Sequence, residues 1–292
     1  MSRGDQPGER AERLRRARDY PFERPASSYV LHAGVALPIE SLDRQRPGAT
    51  EVRRPGSGEP LRLCDLVTGE ELRAERVPVL AAGSNASPEH LARKLECLPE
   101  HLVLVAKATL RHFACVYSAH FTSYGSIPAT LDRWSGAESD LFVTWFSPQQ
   151  LEVVHASEAL GTNYHFACLD ALDCRLEDGH RLESAWAYLS LHGRLAPEGA
   201  PIAVREVPSR DVPLRKLAQP EVLALAHAEL RDLLEGKPEL DDFLDAVSRD
   251  AGLRATCIRA LRERLGQPLA VAGWAEGEPE PPAPTAARVV AS

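Results

Sequence analysis

One stretch carries residue types and spacing that chemistry can use: VPVLAAGSNASPEHL, over 77–91. An apolar run enters Gly83-Ser84-Asn85, and Ser87-Pro88 signals a helix directly behind it. Gly and Asn both tolerate positive φ, so a sharp turn is expected here, aiming main-chain N–H groups into one concavity. Such a turn beside a helix start can hold a carboxylate, or a carbonyl oxygen on which charge develops. The motif is short and also serves as an ordinary strand-to-helix connection. Other catalytic templates are missing: there is no G-x-S-x-G elbow, no phosphate-binding G-x-x-x-x-G-K-[ST], no H-E-x-x-H and no G-x-G-x-x-G. His112 and His120 would share one strand face, but eight residues of strand part them by about 26 Å. The six cysteines contain no C-x-x-C pair, so no metal ligand set is expected, and they read as buried reduced thiols.

The elements that must hold this turn follow from patterning. Strands are predicted over Tyr29–Leu31, Leu61–Leu66, Val77–Ala81, Leu102–Tyr117, Ile127–Leu131, Leu141–Phe146, Tyr164–Leu169, Arg181–Leu189 and Pro201–Val207. Ser87-Pro88 and Ser147-Pro148 open two short helices, running to about Glu96 and Ser157. After Gln219 the apolar period becomes helical. Val222, Leu223, Ala226, Leu230, then Leu240, Phe243, Leu244, Val247, then Leu253, Cys257, Leu261, Leu265 give three amphipathic helices. The fold class is α+β: a small mixed β-barrel or strongly curved sheet with two short helices, and a C-terminal helical appendage packed outside. Regular β-α-β alternation, the mark of a doubly wound parallel sheet, is missing.

With 292 residues, 44% of them hydrophobic and 26% charged, the composition is that of a globular protein. The net charge of −8 argues against a nucleic-acid partner. Its longest clean apolar run, Leu102–Ala106, is far below the ~20 residues of a membrane-spanning helix, so no membrane partner and a cytoplasmic location are expected. Residues 1–25 are charged and poor in apolar side chains, and read as a disordered tail whose acids offset its arginines. Residues 26–76 form a β-rich extension, 77–210 the core, 219–267 the helical appendage, and the Pro/Glu/Ala-rich 275–292 a second disordered tail.

Order along the chain adds a resemblance. Gly83-Ser84-Asn85 is followed by Gly125 with Ala129 and Thr130, then by a strand leading into the helix from Pro148, then by Glu158 and Tyr164. This succession, spanning about Val77 to Leu169, resembles the gamma-glutamylcyclotransferase-like family. Ala82 stands where that family has tyrosine, Ala86 where it has leucine, and Ala159 where it has glycine after the acid. The resemblance implies a cofactor-independent enzyme that closes a γ-glutamyl amine or peptide on itself and releases 5-oxoproline. Glu158 would then be the catalytic proton carrier, behind Phe142, Trp145 and Tyr164, while Gly83, Ser84, Asn85, Thr130 and Tyr164 bind substrate. Two other outcomes stay open: a non-catalytic ligand- or protein-binding module on the same fold, and removal of a γ-glutamyl protecting group from a larger amine. Oligomeric state is not legible.

Overall fold

A computed structural model describes residues 7–56, 59–98, 102–236 and 238–271. The strands that frame the site run in chain order: β1 (Tyr29–His32), β2 (Val35–Ser41), β3 (Glu51–Arg53), β4 (Pro60–Arg62), β5 (Val77–Ala81), β6 (Leu102–Tyr117), β7 (Ala129–Phe146), β8 (Tyr164–Leu169), β9 (Cys174–Leu176), β10 (Arg181–Leu182) and β11 (Ala185–Ser190). They belong to one 14-stranded mixed sheet whose main path is β4-β3-β2-β1-β6-β7-β5-β11-β8. Along this path only β5 and β11 pair parallel. The expected small barrel is therefore an open sheet among the described residues, with ends at β4 and β8.

The sheet is nonetheless strongly rolled. β6 and β7 are paired along almost their whole lengths, with a register shift at Arg111/Phe113. At that shift His112 has φ +64° and Gly136 has φ +85°, and the Gly136 amide donates to His112 Nδ1. Between the Arg111–Glu138 and Phe113–Arg133 pairs β6 has one residue and β7 has four, and extra residues of this kind sharpen strand bend and twist. Ala81 of β5 pairs with Phe142 near one end of β7. Yet the Ala129 side chain, at the other end, lies against Gly83 just beyond β5. Thirteen extended residues would separate 129 from 142 by about 43 Å, so the ribbon must curl back on itself. Side chains then span the remaining gap. The Ser190 amide donates to Thr130 Oγ1 at 3.1 Å, the Ser118 and Ser190 hydroxyls meet at 2.6 Å, and the Tyr164 hydroxyl donates to the Ala129 carbonyl at 3.3 Å.

Local signals place several elements as expected and misplace others. Seven α-helices are present among the described residues: α1 (Pro7–Arg18), α2 (Gly69–Arg73), α3 (Pro88–Leu95), α4 (Pro148–Ser157), α5 (Gln219–Leu230), α6 (Leu240–Arg249) and α7 (Ala251–Leu265). Ser147 caps α4 through a reciprocal box with Gln150, whereas Ser87 holds the cap position of α3 without a side-chain bond. The two runs expected at 127–131 and 141–146 belong to one strand, Ala129–Phe146, because the polar stretch between them pairs with β6 on both sides of the register shift. The 61–66 strand ends at Arg62, where Leu63–Asp65 turns into a 3-10 helix. Three of the six thiols, Cys64, Cys97 and Cys168, are exposed rather than buried, and all six are free.

Two expectations about organisation are corrected. The late helices are no external appendage: Leu223, Leu230, Phe243, Val247 and Leu261 share one apolar core with Leu110, Tyr117 and Leu141 of the sheet. Their stripes are buried because the rolled sheet gives them an apolar face to cover. Residues 7–25 are no disordered tail either. Arg10 and Arg13 pair with Asp242 and Asp245 of α6 at 2.6 and 2.8 Å, and Arg18 pairs with Asp241. These three arginines thus find their counter-charges on a distant helix, while Arg15 pairs locally with Glu12 and Asp19. Behind α1, Arg24 donates to the carbonyls of Ala82 and Asp140, and buried Tyr20 accepts the Ala129 amide at 2.7 Å. The segment 275–292 lies outside the described residues. Among those described, no helix is long and apolar enough to cross a membrane.

Tyr20→Phe tests the docking of this N-terminal segment. It leaves the buried Ala129 N–H without its acceptor, which costs about 1–3 kcal/mol. Urea denaturation should show a lower midpoint at unchanged slope, and an unchanged midpoint would mean that the segment does not dock.

Candidate active site

Where the curled ribbon returns to the end of β5, a cleft of about 540 Å³ opens. Gly83, Ser84, Asn85, Thr130, Glu158 and Tyr164 all line it, so the structure brings together every site residue expected from the sequence. Phe142 and Trp145, expected to wall the glutamate, do not line it; Tyr20, Tyr124, Tyr164 and Tyr188 do. Phe142 and Trp145 instead pack into the apolar cores of the sheet.

The loop after β5 folds into a single 3-10 turn, Ser84–Ala86. The amides of Ala86 and Ser87 return to the carbonyls of Gly83 and Ser84. That leaves the N–H groups of Gly83, Ser84 and Asn85 without main-chain acceptors among the described residues, as at any helix start. The reason for glycine is not the one expected. Gly83 has φ −115°, and neither it nor Asn85 is among the positive-φ residues. A Cβ on Gly83 would overlap the Tyr20 hydroxyl and lie 3.1 Å from its Cζ. Glycine is needed here for close approach, and the tyrosine that approaches comes from the N-terminal segment. Ala82 of the loop is small and largely buried.

Glu158 caps the C-terminus of α4, its amide bonded to the Val154 carbonyl. Its Oε1 accepts from Asn85 Nδ2 at 3.1 Å and from Lys94 Nζ at 2.5 Å. Lys94 also donates to Asn85 Oδ1 at 2.8 Å, which closes a three-membered ring of polar contacts and fixes the Asn85 amide orientation. The Lys94 and Glu158 side chains are only 10% and 15% exposed. Lys94 is not among the site residues expected from the sequence, although a signal for it is there: His90, Arg93 and Lys94 of α3 fall at i, i+3 and i+4, one face of the helix behind the loop.

Neutral groups surround this pair. Burial drives the Tyr20 and Tyr164 hydroxyls well above their usual range and pushes Tyr124 up to about 12, so all three remain protonated donors. His90 is 5% exposed; burial first, then the cations Lys94, Arg93 and Arg16, hold its imidazole down at about 2. Arg93 can only donate, so His90 Nδ1, 2.7 Å away, is the acceptor and Nε2 carries the proton. His120 is fully buried and lines the cleft too; its Nδ1 meets the Ser118 hydroxyl and its Nε2 has no partner among the described residues. Burial keeps it neutral as well. Among the described residues no three His, Cys, Asp or Glu side chains gather as a metal-ligand group. The arrangement offers one carboxylate to carry a proton, main-chain and phenolic donors for an anion, and cations to draw that anion in.

No protein-family model and no curated protein matches this chain. Solved structures do resemble part of it. A solution structure of an Arabidopsis thaliana protein is 19% identical with a TM-score of 0.31, over 40% of this chain and 70% of that one. A structure titled gamma-glutamyl cyclotransferase is 18% identical with a TM-score of 0.32, over 40% and 67%. A crystal structure of an uncharacterized Homo sapiens protein gives the same 18%, 0.32, 40% and 67%.

Two measurements probe this geometry. Gly83→Ala should cost about 1–3 kcal/mol by overpacking against Tyr20. In a Tyr20→Phe background the penalty should shrink, giving a coupling of at least about 0.5 kcal/mol in a double-mutant cycle. For His90 the folded value lies below the unfolded one, so its neutral burial favours folding fully only above about pH 6.5. Below that the unfolded chain takes up a proton that the folded chain refuses, and stability falls by up to about 1.4 kcal/mol per pH unit. His90→Gln should flatten this acid-side loss in denaturation curves between pH 6.5 and 4; parallel curves for the two proteins would contradict it.

Proposed function

We propose that this cleft binds a γ-glutamyl amine or peptide and releases 5-oxoproline by intramolecular aminolysis, with Glu158 as the proton carrier. The observation that supports this reading most directly is the Glu158 carboxylate bonded to Asn85 of the Gly83–Asn85 loop inside one cleft. Acid and anion-binding loop therefore lie within the span of a single γ-glutamyl group. In the reaction the substrate's α-amino nitrogen attacks its own γ-carbonyl carbon. A lactam C–N bond forms, the amide C–N bond breaks, and the proton lost by the attacking nitrogen passes through Glu158 to the departing amine. Tethering makes the attack effectively unimolecular, so little further machinery is needed. The amides of the loop and the protonated phenol of Tyr20, which accepts the Ala129 amide and keeps its own proton to donate, suit the oxyanion and the substrate's α-carboxylate. Lys94 acts as a positioning residue. It holds the carboxylate against Asn85, and its charge disfavours the ammonium form of a substrate amine bound beside it, leaving the nucleophilic free amine.

The same ion pair is what favours the second reading, a binding module. Lys94 occupies one oxygen of the glutamate, and Ala82 supplies no polar side chain at the loop mouth. Incubation with a panel of γ-glutamyl dipeptides and amines, assayed for 5-oxoproline, separates the two. Product from any of them supports the enzyme, and binding without product supports the module.

For the enzyme, Glu158→Gln keeps the Asn85 contact and removes proton acceptance, so turnover should fall by about 10²–10⁴. The single substitution also strips Lys94 of its counter-charge. The pair Glu158→Gln/Lys94→Met restores neutrality and should recover stability without activity. Wild-type turnover in either variant would overturn the mechanism.

A further inference from the structure

Two guanidiniums, Arg16 of α1 and Arg93 of α3, line the cleft without forming an ion pair among the described residues. Arg93 donates only to the neutral His90 ring, and Arg16 Nε is buried without any partner among the described residues. The acids nearest Arg16 in sequence, Asp19 and Glu12, are both bonded to Arg15, at 3.0 and 2.9 Å, and Glu12 attracts Arg16 and Arg93 only through space. Aromatic faces hold both groups in place. Arg16 Cζ sits 4.9 Å from the Tyr124 ring centroid and Arg93 Cζ 5.9 Å from that of Phe22. Phe22 in turn stacks on His90 at 4.7 Å and lies 6.2 Å from Tyr124. Stacking occupies the faces of a guanidinium and leaves its N–H edges to bind, the geometry that suits a carboxylate.

The charges decide what is missing. Lys94 and Glu158 cancel, so the lining keeps two positive charges, Arg16 and Arg93, unbalanced. A γ-glutamyl amine in its reactive, free-amine form brings one negative charge. A γ-glutamyl amino acid or peptide brings two, its α-carboxylate and the carboxylate on its amine half. The geometry points to Arg16 and Arg93 as a specificity subsite for that second carboxylate, so that the ligand class is γ-glutamyl amino acids and peptides, not neutral or cationic γ-glutamyl amines. This rests on the γ-glutamyl reading above. Arg16 belongs to the docked N-terminal segment, which makes that segment part of the binding surface.

The test is calorimetry on the full chain carrying Glu158→Gln/Lys94→Met, which removes the proton carrier and keeps the charge balance of the cleft lining. The probes are γ-glutamylglycine, γ-glutamylmethylamide (the same head without the carboxylate) and N-acetylglycine (a carboxylate without the head). γ-Glutamylglycine should bind roughly 10-fold tighter or more than the methylamide, the worth of one charge-assisted pair. Adding Arg16→Gln or Arg93→Gln should reduce that preference to about 2-fold or less, while Arg16→Lys keeps most of it. Equal affinity for the two γ-glutamyl probes, or a preference that survives both glutamine variants, overturns the subsite. Binding of N-acetylglycine that depends on Arg16, with no γ-glutamyl probe bound, upholds the carboxylate subsite and sinks the γ-glutamyl reading instead. Binding of none of the three overturns both.

Discussion

The curl of the β6–β7 ribbon is the constraint on which the cleft depends. β7 pairs with β5 near Phe142 and touches the loop after β5 through Ala129, so its two ends must return to one place. Straight strands would carry Thr130 tens of ångströms away from Asn85. The bend is supplied at His112 and Gly136, where the register slips and the backbone takes positive φ. Closure is then completed by hydroxyls, through Ser190 to Thr130 and Ser118, instead of by a further ladder. A roof made this way leaves polar side chains and loop amides, not a hydrogen-bonded strand, facing the enclosed space.

The N-terminal segment supplies the remaining wall. Tyr20 reaches over the loop, fills the space that a Gly83 side chain would need, and takes the Ala129 amide. Arg24 binds the carbonyl of Ala82. The small residues Ala82 and Gly83 thus do not leave the loop bare, because bulk arrives from 60 residues upstream. The same segment carries Arg16 into the cleft and is clamped from behind by three arginine–aspartate pairs on α6. These pairs are partly exposed and individually weak, but they act beside the buried Ala17 and Tyr20.

An acidic protein therefore encloses a cationic cleft. The chain carries a net charge of −8, yet three cations and one carboxylate line this space. The neutral state of His90 belongs to the same arrangement, since burial and three neighbouring cations exclude a further positive charge. A field of this kind selects anions, and Glu158 keeps its place in it through Lys94 and Asn85.

Local chemistry made much of this legible in the sequence. Val77–Ala81 as a strand, Pro148–Ser157 as a helix and the Gly83–Asn85 turn between elements follow from apolar runs, a serine–proline start and turn-forming residues. Thr130, Glu158 and Tyr164 are implied beside that turn only by the family resemblance, not by apolar pattern or turn chemistry. What the sequence could not decide is who pairs with whom across the chain. Arg10, Arg13 and Arg18 lie among acids and read as solvated, but their partners are Asp242, Asp245 and Asp241, more than two hundred residues on. Glycine at 83 reads as a conformational requirement, whereas the tertiary structure makes it a steric one imposed by Tyr20. Lys94, Arg16, Arg93 and His120 enter the cleft only because a rolled sheet and a docked helix bring them there. Backbone periodicity is a local property and can be read from neighbours in the chain; charge pairing and close approach are set by distance in space, and only the folded sheet defines that.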